Sequence, residues 1–223
     1  MTDVRARAAA SRGESGDAIH ALVERALVEH GVSGGVALDV GCGRGELARR
    51  LRHRFDRYVG TDVVRHEGFP PELEFLLTDL DDGRVPLPDG MADAVLCAET
   101  IEHVENPRAL VRELVRLTRP GGFVVVTTPN QLNLSSKLSL VARGQFVQFQ
   151  EGPGLYPAHI TALLEIDLRR IASECGLEKL DVIYSGNGRI PLSARTWPRA
   201  VSDRRGWRGR AFSDNVLICG RRA

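Results

Sequence analysis

Val36-Ala37-Leu38-Asp39-Val40-Gly41-Cys42-Gly43-Arg44-Gly45-Glu46 reads as a buried strand that runs into a tight glycine turn and then into a helix. The three glycines let the backbone turn sharply and let a ligand approach amide groups with no Cβ in the way. Their spacing is GxGxG, whereas a dinucleotide site usually carries GxGxxG, with helix N-terminal amides on a pyrophosphate. Asp39, just before the turn, would repel a pyrophosphate and suits a cationic ligand. The next apolar run, Tyr58 to Thr61, leads into a second acid, Asp62, where Rossmann-type folds hydrogen-bond a ribose diol. Together these residues call for an adenosyl compound without phosphates.

Working outward, apolar periodicity alternates between strand and helix. Ala18, Leu22, Val23, Ala26 and Leu27 predict a helix over residues 17–30. Strands follow at 37–40, 57–61, 73–78, 94–98 and 123–128, with helices at 47–54 and 107–117 between them. A helix at 167–174 and strands at 178–184 and 216–219 close the pattern. Such alternation predicts an α/β fold: a Rossmann-like, doubly wound sheet of seven strands, mostly parallel with a terminal antiparallel strand. Residues 1–16 are rich in Ala, Arg, Ser and Gly without periodicity and are expected to form a mobile N-terminus ahead of a single domain over 17–223.

The chain's 223 residues, 43% of them hydrophobic, suffice for one well-buried core. Net charge is only +1, so no global field selects nucleic acid or another polyanion. Cys42, Cys97, Cys175 and Cys219 form no CxxC pair, which argues against a disulfide framework or a zinc site and fits a reducing cytoplasm. No apolar run approaches the roughly 18 to 20 residues of a membrane span, and the N-terminus lacks a signal peptide's apolar core. A soluble, cytoplasmic protein is expected.

Five blocks, in order along residues 35–130, resemble the class I S-adenosylmethionine-dependent methyltransferases. Val36 to Leu47 is similar to the family's first motif and Asp62 to its ribose acid. Thr78-Asp79-Leu80 resembles the adenine-contacting turn, Ala92 to Cys97 the fourth strand, and Arg119 to Val126 the turn and strand that follow. The resemblance implies S-adenosyl-L-methionine as cofactor, held by Asp39, Gly41, Cys42, Gly43, Gly45, Asp62, Val63, Asp79, Leu80, Ala98 and Glu99. In that arrangement Asp79 accepts the adenine amino group and Leu80 supplies a backbone amide.

Glu99-Thr100-Ile101-Glu102-His103 carries the richest chemistry after the glycine loop. On a helix, positions i, i+3 and i+4 would put Glu99, Glu102 and His103 on one face, a trio suited to a divalent cation. The pattern resembles ubiquinone-pathway O-methyltransferases and small-RNA 2′-O-methyltransferases. That resemblance implies Mg²⁺ or another divalent ion, with His159 as a fourth ligand. The competing use is His103, or His159, as general base for an acceptor hydroxyl. Many metal-free methyltransferases carry similar residues only to order the loop beside the sulfonium.

Two segments depart from the alternation. Residues 129–160 hold Leu132, Leu134, Leu138, Leu140, Val141, Phe146, Val147 and Phe149 with few acids, and are expected to form a lid that shapes an acceptor pocket. The alternatives are an ordinary helix at the sheet edge or, with Lys137 and Arg143, peripheral membrane contact. Residues 189–212 place Arg189, Arg195, Arg199, Arg204, Arg205, Arg208 and Arg210 with Trp197 and Trp207, against the single acid Asp203 in the stretch from Arg189 to Arg210. Arginine with aromatics can grip phosphates and stack rings, while charge runs are usually solvated. Beyond Asn130 the chain is more similar to bacterial methyltransferases of glycan, lipid or secondary-metabolite pathways. Ile160 to Leu164 follow His159, where the RNA enzymes carry an aromatic and charged cluster. The expected function is O-methylation of a small-molecule hydroxyl. An RNA 2′-O-methyltransferase with a divalent metal, and a non-catalytic methyltransferase-like binding subunit, are the alternatives.

Overall fold

In the computed structural model, helix α1 (Asp17–Glu29) leads to strand β1 (Val36–Val40) and helix α2 (Glu46–Leu51). Strands β2 (Arg57–Asp62), β3 (Glu74–Leu77) and β4 (Ala92–Ala98) follow, then helix α3 (Pro107–Leu117) and strand β5 (Thr118–Pro129). Helices α4 (Leu134–Arg143) and α5 (Glu165–Glu174) precede strands β6 (Leu177–Tyr184) and β7 (Asn215–Arg222). The residues described are 8, 11, 13–81, 84–152, 155–186, 188, 190, 191, 193, 195–198 and 209–223.

The seven strands form one sheet in the order β3-β2-β1-β4-β5-β7-β6. The neighbours from β3 through β5 are parallel, and β7 runs antiparallel to both β5 and β6. Side chains alternate across a strand, so each buried strand feeds both faces. Leu38, Val40, Val95, Val124 and Val126 pack on one face beneath Leu110, Leu114, Leu168 and Ile171 of α3 and α5. Ala37, Ala94, Leu96, Phe123 and Val125 pack on the other beneath Leu22, Val23, Leu27, Leu47 and Leu51 of α1 and α2. That is the doubly wound arrangement expected from the sequence. Strand order reverses between β1 and β4, the switch point whose carboxyl ends hold ligands in open α/β sheets. Gly41, Asp62, Asp79 and Glu99 all stand at or just past those ends.

Two local expectations change. β5 begins at Thr118, which pairs with Ala92, and Arg119 to Gly122 form an irregularity before pairing resumes at Ala94↔Phe123. No α-helix starts at Glu99: Ile101–His103 is a single 3-10 turn, and α3 begins only at Pro107, capped by Asn106, whose side chain accepts from the Ala109 amide at 3.0 Å. Within the segment expected as a mobile tail, the described residues 13–16 meet the body: the Arg44 amide donates to the Gly13 carbonyl at 3.0 Å and Ser15 Oγ lies 2.6 Å from His20 Nε2.

Much of the arginine-rich stretch, including Arg189, Arg199, Asp203, Arg204, Arg205, Trp207 and Arg208, lies outside the described residues. Its described part is tied to the body: Arg210 bonds to Glu165, itself bonded by Tyr184, and Trp197 meets Phe212 edge-on at 6.1 Å. All four cysteines are free thiols. No helix among the described residues is long and apolar enough to cross a membrane.

Candidate functional site

A cavity of about 280 Å³ opens at the switch point, lined by Asp39, Gly41, Cys42, Gly43, Asp62, Val63, Asp79, Leu80, Ala98 and Glu99. His103 and His159 line the same cavity, as do Ser11 and Gly13 to Gly16 of the N-terminal segment. Gly41 has φ 74°, and a Cβ there would lie 2.1 Å from Thr100 Oγ1, so only glycine lets β4's end approach the loop. Gly43 (φ 51°) lies so close to the N-terminal segment that a Cβ would meet the Gly13 carbonyl oxygen at 2.4 Å. Gly45 stands behind the loop as the left-handed N-cap of α2, against Pro70 and Phe69, and is not among the residues lining the cavity.

The acids are held in different ways. Asp62 Oδ2 accepts from the Gly43 amide at 2.9 Å and Oδ1 from the Val63 amide at 2.7 Å, so it fixes the loop's shape as well as facing the cavity. Burial raises its pKa, against the Gly43 hydrogen bond and the nearby His66. Asp79 Oδ1 accepts from the Asp81 amide at 3.0 Å, which closes the turn after β3. Asp39 is 1% exposed and accepts from Tyr58 Oη at 3.0 Å; burial pushes it up to about 7 despite that bond. Glu99 leaves β4 in the left-handed region at φ 50°, and Thr127 Oγ1 and Asn215 Nδ2 donate to its two carboxylate oxygens at 2.8 and 2.9 Å. Burial pushes it up to about 7 as well, with those two donors opposing.

Glu102 and the histidines form a second group. Glu102 is fully buried; Oε2 accepts from Thr128 Oγ1 at 3.1 Å, and Oε1 has no hydrogen-bond partner among the described residues. Burial first, and the neighbouring Glu99 second, hold its carboxyl well above the usual range. His103 Nδ1 lies 2.9 Å from the Ala158 carbonyl, and His159 Nδ1 lies 2.8 Å from the Gln148 carbonyl. A carbonyl only accepts, so each Nδ1 carries a proton, and in the neutral ring the lone pair falls on Nε2. Burial lowers the His159 pKa, which keeps the ring neutral near pH 7. The two rings meet edge-on at 4.8 Å, because the Glu102 carbonyl accepts from the Ile160 and Thr161 amides and so draws the chain after His159 against the 3-10 turn. One ligand atom from each of Glu102, His103 and His159 lies within 4.8 Å of the others.

Of the four-ligand set read from the sequence, the structure gathers three residues. The grouping brings Glu102, His103 and His159 together and leaves out Glu99, whose two oxygens are taken by Thr127 and Asn215. Thr127, Asn215, Tyr58 and Gly13 to Gly16 are site residues the sequence reading missed. Asn215 lies 116 positions from Glu99, and only the pairing Pro129↔Asn215 brings it near.

A glycine loop at the switch point, with Asp62 and Asp79 at the ends of the next two strands on the same cavity, is the arrangement of a nucleoside-cofactor site in an α/β fold. The methyltransferase domain family matches residues 38–126. The ubiquinone biosynthesis O-methyltransferase of Psychrobacter arcticus is 30% identical over 181 residues, spanning 76% of this chain and 68% of that protein. A SAM-dependent methyltransferase structure from Archaeoglobus fulgidus superposes with a TM-score of 0.64 at 17% identity, over 91% of this chain and 94% of that one. The 1,6-didemethyltoxoflavin-N1-methyltransferase of Burkholderia thailandensis, solved with its substrate and S-adenosylhomocysteine, gives 0.60 at 14% identity, over 93% and 79%. The chain belongs to the class I S-adenosylmethionine-dependent methyltransferases.

The acids at the cavity carry a first prediction. With Asp39 and Glu99 both near 7, each is partly protonated in the empty site at neutral pH. A cationic ligand stabilises the ionised forms, so its binding releases protons. S-adenosylmethionine affinity should rise from pH 6 to pH 8, by up to about tenfold per unit for each proton released. Calorimetry in buffers of differing ionisation heat measures the release directly, and a pH-independent affinity would contradict this assignment of charge.

Proposed function

We infer that this methyltransferase acts on a hydroxyl of a small, partly apolar molecule, with His103 as the base. The observation that carries this reading is the pair of imidazoles lining the cofactor cavity, each with its Nδ1 on a backbone carbonyl. The name of the Psychrobacter relative, an O-methyltransferase, supports it.

The residues present fit the cofactor: Asp62 and Val63 toward the ribose, Asp79 and Leu80 toward adenine, Asp39, Gly41 and Gly43 toward the amino-acid end, and Ala98 and Glu99 beside the sulfonium. Bound S-adenosylmethionine supplies an electrophilic methyl carbon. Its methyl group would pass to the acceptor oxygen, the carbon–sulfur electron pair staying on sulfur, while His103 Nε2 would take the hydroxyl proton. Transfer needs oxygen, carbon and sulfur in line, so most of the rate comes from positioning in a pocket that excludes water.

One specific observation favours a second reading of the same residues. The orphaned, fully buried Glu102 Oε1 beside two imidazoles is costly unless something pairs with it. A divalent cation held by Glu102, His103 and His159 would satisfy it and would lower the acceptor's pKa. Two imidazoles and one carboxylate suit Mn²⁺, Fe²⁺ or Zn²⁺ better than Mg²⁺, which takes oxygen ligands.

The insert over residues 129–160 serves as the acceptor lid in this proposal. Phe149 packs on the His159 ring at 5.6 Å, and Gln148 holds its Nδ1. Phe146→Ser with Phe149→Ser should lower kcat/KM for the acceptor far more than cofactor affinity. Equal loss of both would assign the insert to folding instead. The acceptor itself is found by incubating the protein with labelled S-adenosylmethionine and host extract and weighing the labelled product; absence of any O-methylated product would refute the hydroxyl reading.

A further inference from the structure

Charge around the cofactor cavity is one-sided. Asp39, Asp62, Asp79 and Glu99 line it at or just past the ends of four different strands, and Glu46, at the start of α2, adds a fifth carboxylate. Glu14 lines it too, but is paired with the Arg44 guanidinium. No lysine or arginine lines the cavity among the described residues. Over the whole chain 30 basic side chains nearly cancel 29 acidic ones, so the excess of acid belongs to this cavity and not to the protein at large.

The five acids are oriented by neutral donors. Asp62 and Asp79 accept backbone amides, and Glu46 Oε2 accepts from the Ser15 amide at 3.3 Å. Asp39 accepts from Tyr58, and Glu99 from Thr127 and Asn215. Such bonds fix where the carboxylates point without cancelling their charge. His66, near Asp62, is the basic group that acts on this set. Fixed charges in a cavity that water screens poorly act on a ligand more strongly than the same charges at a surface.

We propose that the cavity selects its cofactor by charge, holding S-adenosylmethionine more tightly than S-adenosylhomocysteine, so that methyl transfer itself loosens the spent cofactor. The two molecules differ by one methyl group and by one charge. Sulfonium, ammonium and carboxylate leave S-adenosylmethionine with one net positive charge, whereas the thioether leaves S-adenosylhomocysteine with none. Burying a sulfonium costs hydration, and fixed carboxylates offset that cost only while the charge is present. Once the methyl group has left and the acceptor's proton has departed to solvent, the same carboxylates face a neutral ligand. The inference rests on the assignment of this cavity to the cofactor, and not on which acceptor is methylated.

Calorimetry with the full chain tests it at pH 8, where Asp39 and Glu99 are mostly ionised. S-adenosylmethionine should bind about tenfold or more tightly than S-adenosylhomocysteine. Sinefungin, which carries an amine-bearing carbon in place of the methylated sulfur, should bind like S-adenosylmethionine, because it restores the charge without the sulfonium. Glu46→Gln and Asp39→Asn keep an oxygen for the Ser15 and Tyr58 donors and remove a charge, so each should cut the ratio of the two dissociation constants about threefold. Retained S-adenosylhomocysteine binding in each variant shows that the fold survives. Equal or tighter binding of S-adenosylhomocysteine by the unmodified protein overturns the proposal. A preference that neither variant reduces, or that sinefungin does not share, overturns it as well and assigns the preference to the fit of the methyl group. Binding of none of the three ligands would instead strike the cofactor assignment on which the proposal stands.

Discussion

His103→Ala is expected to lower kcat by about 10² to 10⁴, the usual contribution of a positioned general base, with partial recovery at high pH where the acceptor ionises unaided. The cofactor affinity should change far less than kcat, since the His103 Nδ1 bonds the Ala158 carbonyl. Chelation separates the two readings of the site. If Glu102, His103 and His159 hold a cation, a chelator abolishes turnover and added Mn²⁺ restores it, while Glu102→Gln raises the metal concentration required, since a neutral amide is a poorer ligand. If His103 acts alone, chelators do nothing. In that case the neutral state of His159, favoured by burial, is dispensable, and His159→Gln should cost far less than His103→Ala. Full activity in chelator together with a silent His103→Ala would reject both readings and leave residues 99–104 as a scaffold beside the cofactor.

What the sequence made legible follows from locality. The run from Val36 to Glu46 encodes strand, turn and helix within one stretch, and each glycine's need is set by near neighbours, so loop and sheet could be read directly. Spacing is a weaker guide where backbone conformation departs from the regular. Glu99, Glu102 and His103 are one helical face only if Glu99 is helical; at φ 50° it turns away, and Glu102 and His103 group with His159 instead. Contacts closed by the sheet left no linear trace at all: Asn215 reaches Glu99, and Thr128 reaches Glu102, through pairing of β4, β5 and β7. The insert shows a third limit. Periodicity reports that Leu134, Leu138 and Val141 share a face, but not whether that face turns toward the core, and here the opposite side, with Ser136, is the one held.

Asp62→Ala should weaken S-adenosylhomocysteine binding by about 1.5 to 3 kcal/mol, the cost of losing a charge-assisted hydrogen bond to the ribose. The geometry adds a second contribution, because Asp62 also accepts the Gly43 amide and shapes the loop that meets the cofactor's other end. Asp62→Asn divides the two. Its amide oxygen can still take the Gly43 N–H, so the loop persists while the charge on the ribose is lost. Affinity for Asn should therefore fall between wild type and Ala, and thermal stability without ligand should drop for Ala more than for Asn, since only Ala leaves the Gly43 donor unsatisfied. Equal affinity in all three proteins by calorimetry would remove Asp62 from the ribose site. Equal affinity in Asn and wild type, with loss only in Ala, would make Asp62 a buttress of the glycine loop and leave the ribose to other groups on the cavity wall.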